Sequence, residues 1–262
     1  YEDATQEIRR LFGADVMSYP KPSGLMKYLV RAMTGEGDIV MDFFAGSGST
    51  AHGVMLQNSE DGCNRRYILV QLPEPLRPGD TQSKPALQFC RARGASPTIA
   101  EIGKERIRRA ASDIASKGEV ARPDLGFRVF RLDSSNIRQW DSAPSNLEES
   151  LLCTVERIKD GRRDADVIYE LALRYGLDLA ASVETREIDG KAVYIVGAGD
   201  LVICLADDIN LRLAEGIARL RTEIAATQVQ VVFRDAGFGR DADRVNALQV
   251  LRRAGVENVK TL

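Results

Sequence analysis

The chain is 262 residues long, with 44% hydrophobic and 28% charged residues, which is enough to build one large core or two moderate ones. No stretch approaches the ~20 apolar residues of a membrane span, and the N-terminus lacks a signal-peptide pattern. We therefore expect a cytoplasmic protein with no membrane partner. The formal net charge of −2 lacks the basic footprint of a free-standing DNA-binding domain.

Histidine and cysteine, the usual ligands of structural zinc, are sparse. The four cysteines are scattered without a Cys-x-x-Cys pair, and the single histidine is His52. One imidazole cannot supply a usual zinc set, so no metal site is expected and the thiols are interpreted as reduced packing residues. His52 is predicted to pack within a helix rather than to act in catalysis.

The first half of the chain alternates helical and extended patterns. Apolar residues recur at helical spacing in some segments and form short continuous runs in others. The predicted elements, in chain order, are helices over residues 6–11 and 23–33, a strand over 38–43, a helix over 49–57 and a strand over 67–71. Residues 72–96, rich in Pro, Arg, Gly, Ser and Gln, predict a long and mobile surface excursion.

A capping-box pattern at Thr98 and Glu101 predicts the start of the next helix, which ends near residue 118. Its apolar stripe consists of Ile99, Gly103, Ile107, Ala110 and Ile114. Basic side chains of this helix (Lys104, Arg106, Arg108 and Arg109) are interspersed with glutamates, which favours a solvated charged face over a phosphate contact. Residues 127–132 are predicted to return as a strand of the same sheet.

A small-residue turn joins the strand over 38–43 to the helix that follows it. The segment is Asp42-Phe43-Phe44-Ala45-Gly46-Ser47-Gly48-Ser49-Thr50. Glycines let the backbone approach a ligand closely, and the helix start offers unpaired N–H groups at its positive end. Open α/β sheets hold nucleotide-like ligands at such places, so this turn predicts a small-molecule site. The alternative is a glycine-rich turn without a ligand.

Two classes of cofactor use such a turn. The run from Gly46 to Ala51 fits the loose form of the dinucleotide fingerprint, which requires an acidic residue about 20 positions further on. The next predicted strand ends instead at Gln71, which weakens the dinucleotide interpretation. Asp42 could order the turn or pair with a cationic ligand, and Phe44 could stack on an adenine, which favours a methyl-donor site.

Asp42-x-Phe44-x-Gly46-x-Gly48 resembles the S-adenosylmethionine-binding motif of amino-methylating DNA methyltransferases. The pair Lys21-Pro22, about twenty residues upstream, resembles the methionine-side motif of these enzymes. The segments over 61–74, 98–109 and 126–136 are similar to modification subunits of type III restriction systems. The chain is therefore identified as the C-terminal part of such a subunit, a β-class adenine-N6 methyltransferase.

This resemblance implies S-adenosylmethionine as cofactor and double-stranded DNA as the substrate of the full-length protein. It also implies a second modification subunit and a restriction subunit as partners. The implied cofactor-binding residues are Lys21, Pro22, Asp42, Phe43, Phe44, Ala45, Gly46, Ser47, Gly48, Ser49, Thr50 and Gln71. The catalytic Asp-Pro-Pro-Tyr loop of the family is not found in the sequence, and no catalytic residue is assigned. We expect a fragment that binds cofactor but is inactive alone.

The second half of the chain changes character after residue 132. Residues 133–160 predict a connector with Trp140 as an interdomain anchor and a helix over 147–158. The remaining predicted elements are a helix over 166–175, a meander of strands over 181–188, 192–196 and 201–205, helices over 211–220 and 242–254, and strands over 229–233 and near 259. By the resemblance, residues 161–262 form an α/β domain for dimerisation or subunit assembly.

The expected fold is therefore α/β. Residues 1–132 form the cofactor-binding part of a Rossmann-like methyltransferase sheet that is incomplete, and a smaller α/β C-terminal domain follows. An incomplete sheet exposes an edge, so we expect the isolated chain to aggregate or dimerise. Two other functions remain open: a nucleotide-dependent Rossmann oxidoreductase and a non-catalytic assembly module.

Overall fold

The computed structural model describes residues 2–117, 124–138, 156–224, 226 and 228–262. The chain divides into two compact units, Tyr1–Phe127 and Arg128–Leu262. Both units mix helices with a sheet, which confirms the expected α/β class. Within the described ranges, no helix combines the length and the apolar character needed to span a membrane.

The first unit contains five described helices and two strands. In chain order these are α1 (Glu2–Phe12), α2 (Ser23–Met33), β1 (Ile39–Asp42), α3 (Ser49–Asp61), β2 (Arg66–Leu69), α4 (Lys84–Ala92) and α5 (Ile99–Lys117). Strands β1 and β2 pair in parallel, with Ile39 opposite Arg66 and Asp42 opposite Leu69. Helix α3 is the crossover between them, so the turn of interest lies where β1 ends and α3 begins.

One face of this two-stranded sheet packs on helices. Tyr67 and Leu69 of β2 contact a core formed by α3 and α5, in which Met55 and Ile107 are buried. A separate core joins α1, α4 and α5, with Ile8, Cys90 and Ile102 among its buried members. Burial of these apolar faces, rather than intrinsic helix propensity, supplies most of the stability of such short elements.

The opposite face of the sheet is exposed. Ile39 and Met41 of β1, Ile68 of β2 and the following Val70 are each between 43% and 49% exposed. Alternate residues of a strand point to opposite faces, and Met41 pairs with Ile68 across the ladder. These four side chains therefore form one apolar patch, called here the open sheet face.

The described residues of the second unit form a five-stranded sheet flanked by three α-helices. Its elements are α6 (Asp164–Arg174), β3 (Val183–Ile188), β4 (Lys191–Val196), β5 (Leu201–Cys204), α7 (Leu211–Glu223), β6 (Gln230–Phe233), a 3₁₀ turn (Asp235–Gly237), α8 (Asp241–Arg253) and β7 (Asn258–Thr261). Strand order follows the chain, with β3, β4 and β5 antiparallel and β5, β6 and β7 parallel. The predicted meander and both later helices are confirmed.

Two predicted features of the chain are wrong. Residues 72–96 are not a continuous surface excursion, because α4 lies within them and buries Leu87 and Cys90. Residues 127–132 form no strand, and Leu132 is fully exposed. A short apolar run has the residue pattern of a strand, but a strand is stable only when a neighbouring strand forms a hydrogen-bonded ladder with it.

Part of the predicted connector cannot be compared with the structure. Trp140 and most of the helix predicted over 147–158 lie within residues 139–155, outside the described part of the chain. The described end of that prediction, residues 156–158, is not helical, and Ile158 instead forms a β-bridge with Ile137.

Candidate functional site

The turn between β1 and α3 has the backbone geometry that its glycines permit. Gly46 and Gly48 have φ values of +52° and +74°, in the left-handed region that strains other residues. Gly48 is the N-cap of α3, and no side chain caps that helix. The first N–H groups of α3 are thus left for another acceptor, at the positive end of the helix.

Asp42 organises the turn with both carboxylate oxygens. Oδ1 accepts a hydrogen bond from the N–H of Phe44 at 3.0 Å, and Oδ2 accepts one from the hydroxyl of Thr50 at 2.6 Å. The carboxylate therefore joins the end of β1 to the first turn of α3. Of the two roles considered for Asp42, the structure shows the ordering of the turn.

Gln71 fastens the turn from the neighbouring strand. It lies two residues beyond β2, and its Oε1 accepts a hydrogen bond from the N–H of Gly46 at 2.7 Å. Its Nε2 donates to the carbonyl of Leu72 at 3.1 Å. An amide side chain thus lies at the position where a dinucleotide site requires a carboxylate. Its acceptor oxygen already binds a backbone N–H of the protein.

The remaining residues of the turn separate into exposed and buried sets. Phe43 and Phe44 are 62% and 85% exposed, so both phenyl rings are accessible to a planar ligand. The small residues are buried, namely Ala45, Ser47, Ser49 and Thr50. The turn therefore exposes its two apolar rings to solvent and buries its small residues.

Lys21 and Pro22 lie directly before α2, and Pro22 is its N-cap residue. Arg106 of α5 brings this segment and the glycine turn together. Its Nη1 donates to Oγ of Ser47 at 2.7 Å, and its Nη2 lies 3.5 Å from the carbonyl oxygen of Lys21. Lys21 and Ser47, which are 26 positions apart in sequence, thus contact one guanidinium group.

A buried ionic cluster surrounds that guanidinium group. Arg106 Nη2 lies 3.4 Å from Oε2 of Glu7, and His52 Nδ1 lies 2.8 Å from Oε1 of the same carboxylate. Glu7 also accepts the N–H of Ser23 at 3.0 Å, which places a negative charge at the N-terminus of α2. Four elements, α1, α2, α3 and α5, therefore meet at Glu7.

The cluster changes the pKa values of both charged partners. Burial alone would raise the pKa of Glu7, but the adjacent imidazole of His52, hydrogen bonds from Ser23 and the charge of Arg106 outweigh it and lower this pKa to about 2. Burial lowers the pKa of Arg106, partly offset by Glu7. An arginine nevertheless stays charged, so the cluster holds an ion pair.

Two glycines let helices approach this region closely. A Cβ on Gly103 of α5 would lie 2.9 Å from the carbonyl oxygen of Gly46, and a Cβ on Gly53 of α3 would lie 2.6 Å from Cβ of Met26. Contacts this short do not occur at real Cβ atoms. Helix α5 therefore packs directly on the glycine turn, and α2 packs directly on α3.

Sequence reasoning missed Glu7 and Arg106. Arg106 is fully buried, so the interpretation of the α5 basic residues as a solvated face is wrong at this position. The signal was its spacing: residue 106 is three positions after Gly103 and four before Ala110, on the side of the helix that carries the apolar stripe. No pattern in the sequence pointed to Glu7 as its partner.

Other features of the described residues carry no comparable chemistry. No group of three or more metal-binding side chains occurs among them. A groove of about 600 Å³ in the second unit is lined by bases and acids of β3, the turn after it and α7, including Arg186, Asp189, Arg212 and Glu223. Arg186 is already paired with Glu184 and Glu223, so the groove offers little uncompensated charge.

Comparison with known proteins finds a family match within the first unit. Residues 5–75 match the family described as DNA methylase, and this range holds the glycine turn, Gln71 and Lys21-Pro22. The chain is 35% identical over 144 residues to the Mod subunit of the type III restriction-modification enzyme StyLTI from Salmonella typhimurium. That match covers 55% of the chain and 21% of the relative.

Two further relatives are similar to the chain over shorter stretches. The Mod subunit of the type III restriction-modification enzyme EcoPI, from Escherichia phage P1, is 33% identical over 127 residues, covering 48% of the chain and 18% of the relative. The type II methyltransferase M.KpnI from Klebsiella pneumoniae is 39% identical over 75 residues, 29% of the chain and 18% of the relative. The matches thus span about a fifth of the length of these relatives. Over about half of its length the chain is thus similar to modification subunits of type III restriction-modification enzymes, and residues 5–75 match the DNA methylase family.

Proposed function

We propose that this chain is the S-adenosylmethionine-binding portion of a site-specific DNA adenine-N6 methyltransferase, the modification subunit of a type III restriction-modification system. One observation carries the proposal. The DNA methylase match covers both the glycine turn and the Lys21-Pro22 segment, and Arg106 contacts both. The sequence relation and the geometry thus converge on the same residues.

The residues of the turn fit this cofactor. The proposed binding set is Lys21, Pro22, the run from Asp42 to Thr50, and Gln71. The exposed ring of Phe44 offers a stacking surface for adenine, and the uncapped start of α3 offers N–H donors to polar groups. When bound, S-adenosylmethionine supplies a sulfonium methyl group that an amine can attack.

In the proposed fold, β1, α3 and β2 are one βαβ unit of a Rossmann-like sheet that is incomplete in residues 1–132. Residues 133–160 connect it to a C-terminal α/β domain over 161–262, which serves dimerisation or subunit assembly. In the whole protein the partners are double-stranded DNA, a second modification subunit and a restriction subunit, and the location is cytoplasmic. The names of three relatives as type III Mod subunits support this arrangement.

This chain contributes no catalytic residue to methyl transfer in the proposal. Transfer to an exocyclic amine needs groups that align the amine with the methyl carbon and accept its hydrogen bonds. None of the nine prolines forms the double-proline loop of the family. Incubation of the chain with adenine-containing DNA and labelled S-adenosylmethionine should leave the DNA unlabelled, and incorporation of label would refute this part.

Calorimetry tests cofactor binding directly. S-adenosylmethionine and S-adenosylhomocysteine should bind the chain, whereas NAD should not, because Gln71 stands where a dinucleotide site uses a carboxylate. Asp42→Ala should weaken binding at least tenfold, since the turn loses both carboxylate contacts. Asp38→Ala is the matched control, because its carboxylate accepts only the N–H of Gly35 at the other end of β1.

Each alternative has its own outcome in this experiment. Preferential binding of NAD would support a nucleotide-dependent oxidoreductase. An absence of binding to all three ligands would support a non-catalytic assembly module. Equal affinities of Asp42→Ala and the unaltered chain would show that the turn is not the binding site.

A further inference from the structure

We infer that Arg106 is a positioning residue that sets cofactor affinity by holding the glycine turn and the Lys21-Pro22 segment in one fixed arrangement. The inference rests on the proposed function and deepens it. Arg106 touches no expected ligand atom and acts through Ser47 and Lys21. Glu7 is its counterion and completes the device.

The contacts of Arg106 reach both halves of the proposed site. Nη1 donates to Ser47 Oγ at 2.7 Å, between Gly46 and Gly48, and Nη2 lies 3.5 Å from the Lys21 carbonyl. In the unfolded chain the glycines of this turn can adopt many backbone conformations. A hydrogen bond to Ser47 therefore restricts the segment that is otherwise the most flexible. Because a preorganised turn is already ordered, it loses little further conformational entropy when it binds a ligand.

The burial of this group is costly and calls for an explanation. Arg106 is 0% exposed, and removing a guanidinium from water is strongly unfavourable unless its partners compensate. Glu7 supplies the compensating charge at 3.4 Å and is itself held by His52 and by the N–H of Ser23. A planar fork with separate donors can reach Glu7, Ser47 and Lys21 together, which a lysine ammonium cannot.

Arg109 on the same helix shows what a structural arginine looks like. Its Nη1 donates to the carbonyl of Leu11 in α1 at 2.7 Å, and its Nε pairs with Glu105 at 2.8 Å. It also stacks on the ring of Phe12. Arg109 thus ties α5 to α1, as Arg106 does through Glu7, but its polar and ring contacts lie in α1, α4 and α5 rather than in the glycine turn. This makes it a matched control.

The test measures S-adenosylhomocysteine affinity by calorimetry and stability by urea unfolding, on the whole chain. Arg106→Lys keeps the charge beside Glu7 and should weaken binding at least tenfold. Arg106→Lys and Arg109→Lys should lower the urea midpoint to a similar extent. Arg109→Lys, however, should leave the affinity for S-adenosylhomocysteine within twofold of that of the unaltered chain. Ser47→Ala, which keeps the ion pair, should weaken binding about fivefold with little change in the urea midpoint.

Coupling between the two residues decides the inference. If Arg106 acts through Ser47, the double variant Arg106→Lys, Ser47→Ala should bind about as weakly as Arg106→Lys alone. Fully additive losses, or unchanged affinity in Arg106→Lys, would overturn the inference while leaving the proposed function intact. If Arg106→Lys does not fold, unchanged affinity in Ser47→Ala overturns it alone. Failure of the unaltered chain to bind would instead remove the proposed function, and the inference with it.

Discussion

Gly103 of α5 lies so close to the carbonyl oxygen of Gly46 that an added Cβ would be 2.9 Å from it. The contact works in both directions, because a Cβ on Gly48 would in turn lie 3.3 Å from the carbonyl of Gly103. Helix α5 and the glycine turn are thus fitted backbone to backbone. The shape of the turn depends on a residue more than fifty positions away in sequence.

Gly103→Ala should therefore destabilise the chain by about 1–3 kcal/mol, although alanine is the better helix former. The obstructing atom is backbone, so it cannot move aside cheaply. Urea unfolding measures the loss, and cofactor affinity should fall with it because the turn must shift. Gly24→Ala in α2 is the control, since nothing lies within 4 Å of its added Cβ; it should be neutral or slightly stabilising.

Gln71→Ala should lower the free energy of unfolding by about 1 kcal/mol, because the partly buried N–H of Gly46 loses its acceptor. Gln71→Glu keeps an acceptor oxygen for that N–H and should retain most of the stability. Chemical unfolding of the two variants separates the roles of the acceptor and the side-chain volume. Equal losses in both would show that the hydrogen bond to Gly46 is not what Gln71 contributes.

Glu7 should make stability depend on acid pH. Its pKa in the folded chain, about 2, lies below the ordinary value of 4.5, so the carboxylate stabilises the fold above pH 4.5. That stabilisation, on the order of 3 kcal/mol, is lost as the pH falls from 4.5 towards 2. Glu7→Gln should be less stable than the unaltered chain at pH 7, with the gap narrowing below pH 4.5.

Urea midpoints measured between pH 7 and pH 3 test this dependence. Glu2→Gln, which removes an exposed carboxylate from the same helix, controls for the loss of one negative charge. A gap between Glu7→Gln and the unaltered chain that stays constant down to pH 3 would contradict the ion-pair interpretation.

The open sheet face should cause self-association of the isolated chain. Ile39, Met41, Ile68 and Val70 expose a contiguous apolar patch in a sheet that has two strands among the described residues. Light scattering should show dimers or larger species at micromolar concentration. The cross-strand pair Met41→Lys, Ile68→Glu should shift the chain towards monomer, because opposite charges pair favourably there and discourage docking. A strictly monomeric unaltered chain would contradict the prediction.

Local patterns were sufficient for most of the elements. The helices over 23–33 and 99–117 and the meander of β3, β4 and β5 follow from spacing, capping and turn residues, which act within a few positions of the chain. The glycine turn was evident for the same reason, since left-handed φ values are a property of the residue itself. The family resemblance followed from short ordered motifs around it.

Only the tertiary structure decided how the turn is held. From the sequence, Arg106 is expected to be one more surface base of α5, but in the structure it lies among Glu7, Ser47 and Lys21. From the sequence, Gln71 is notable only because it is not an acid, whereas in the structure its Oε1 accepts the N–H of Gly46. Likewise, the apolar run at 127–132 was predicted as a strand but does not pair with one. Part of 72–96 was predicted as a surface excursion but forms a helix that packs on a core. Sequence determines what each segment prefers alone, and burial and partners far along the chain determine which preference is realised.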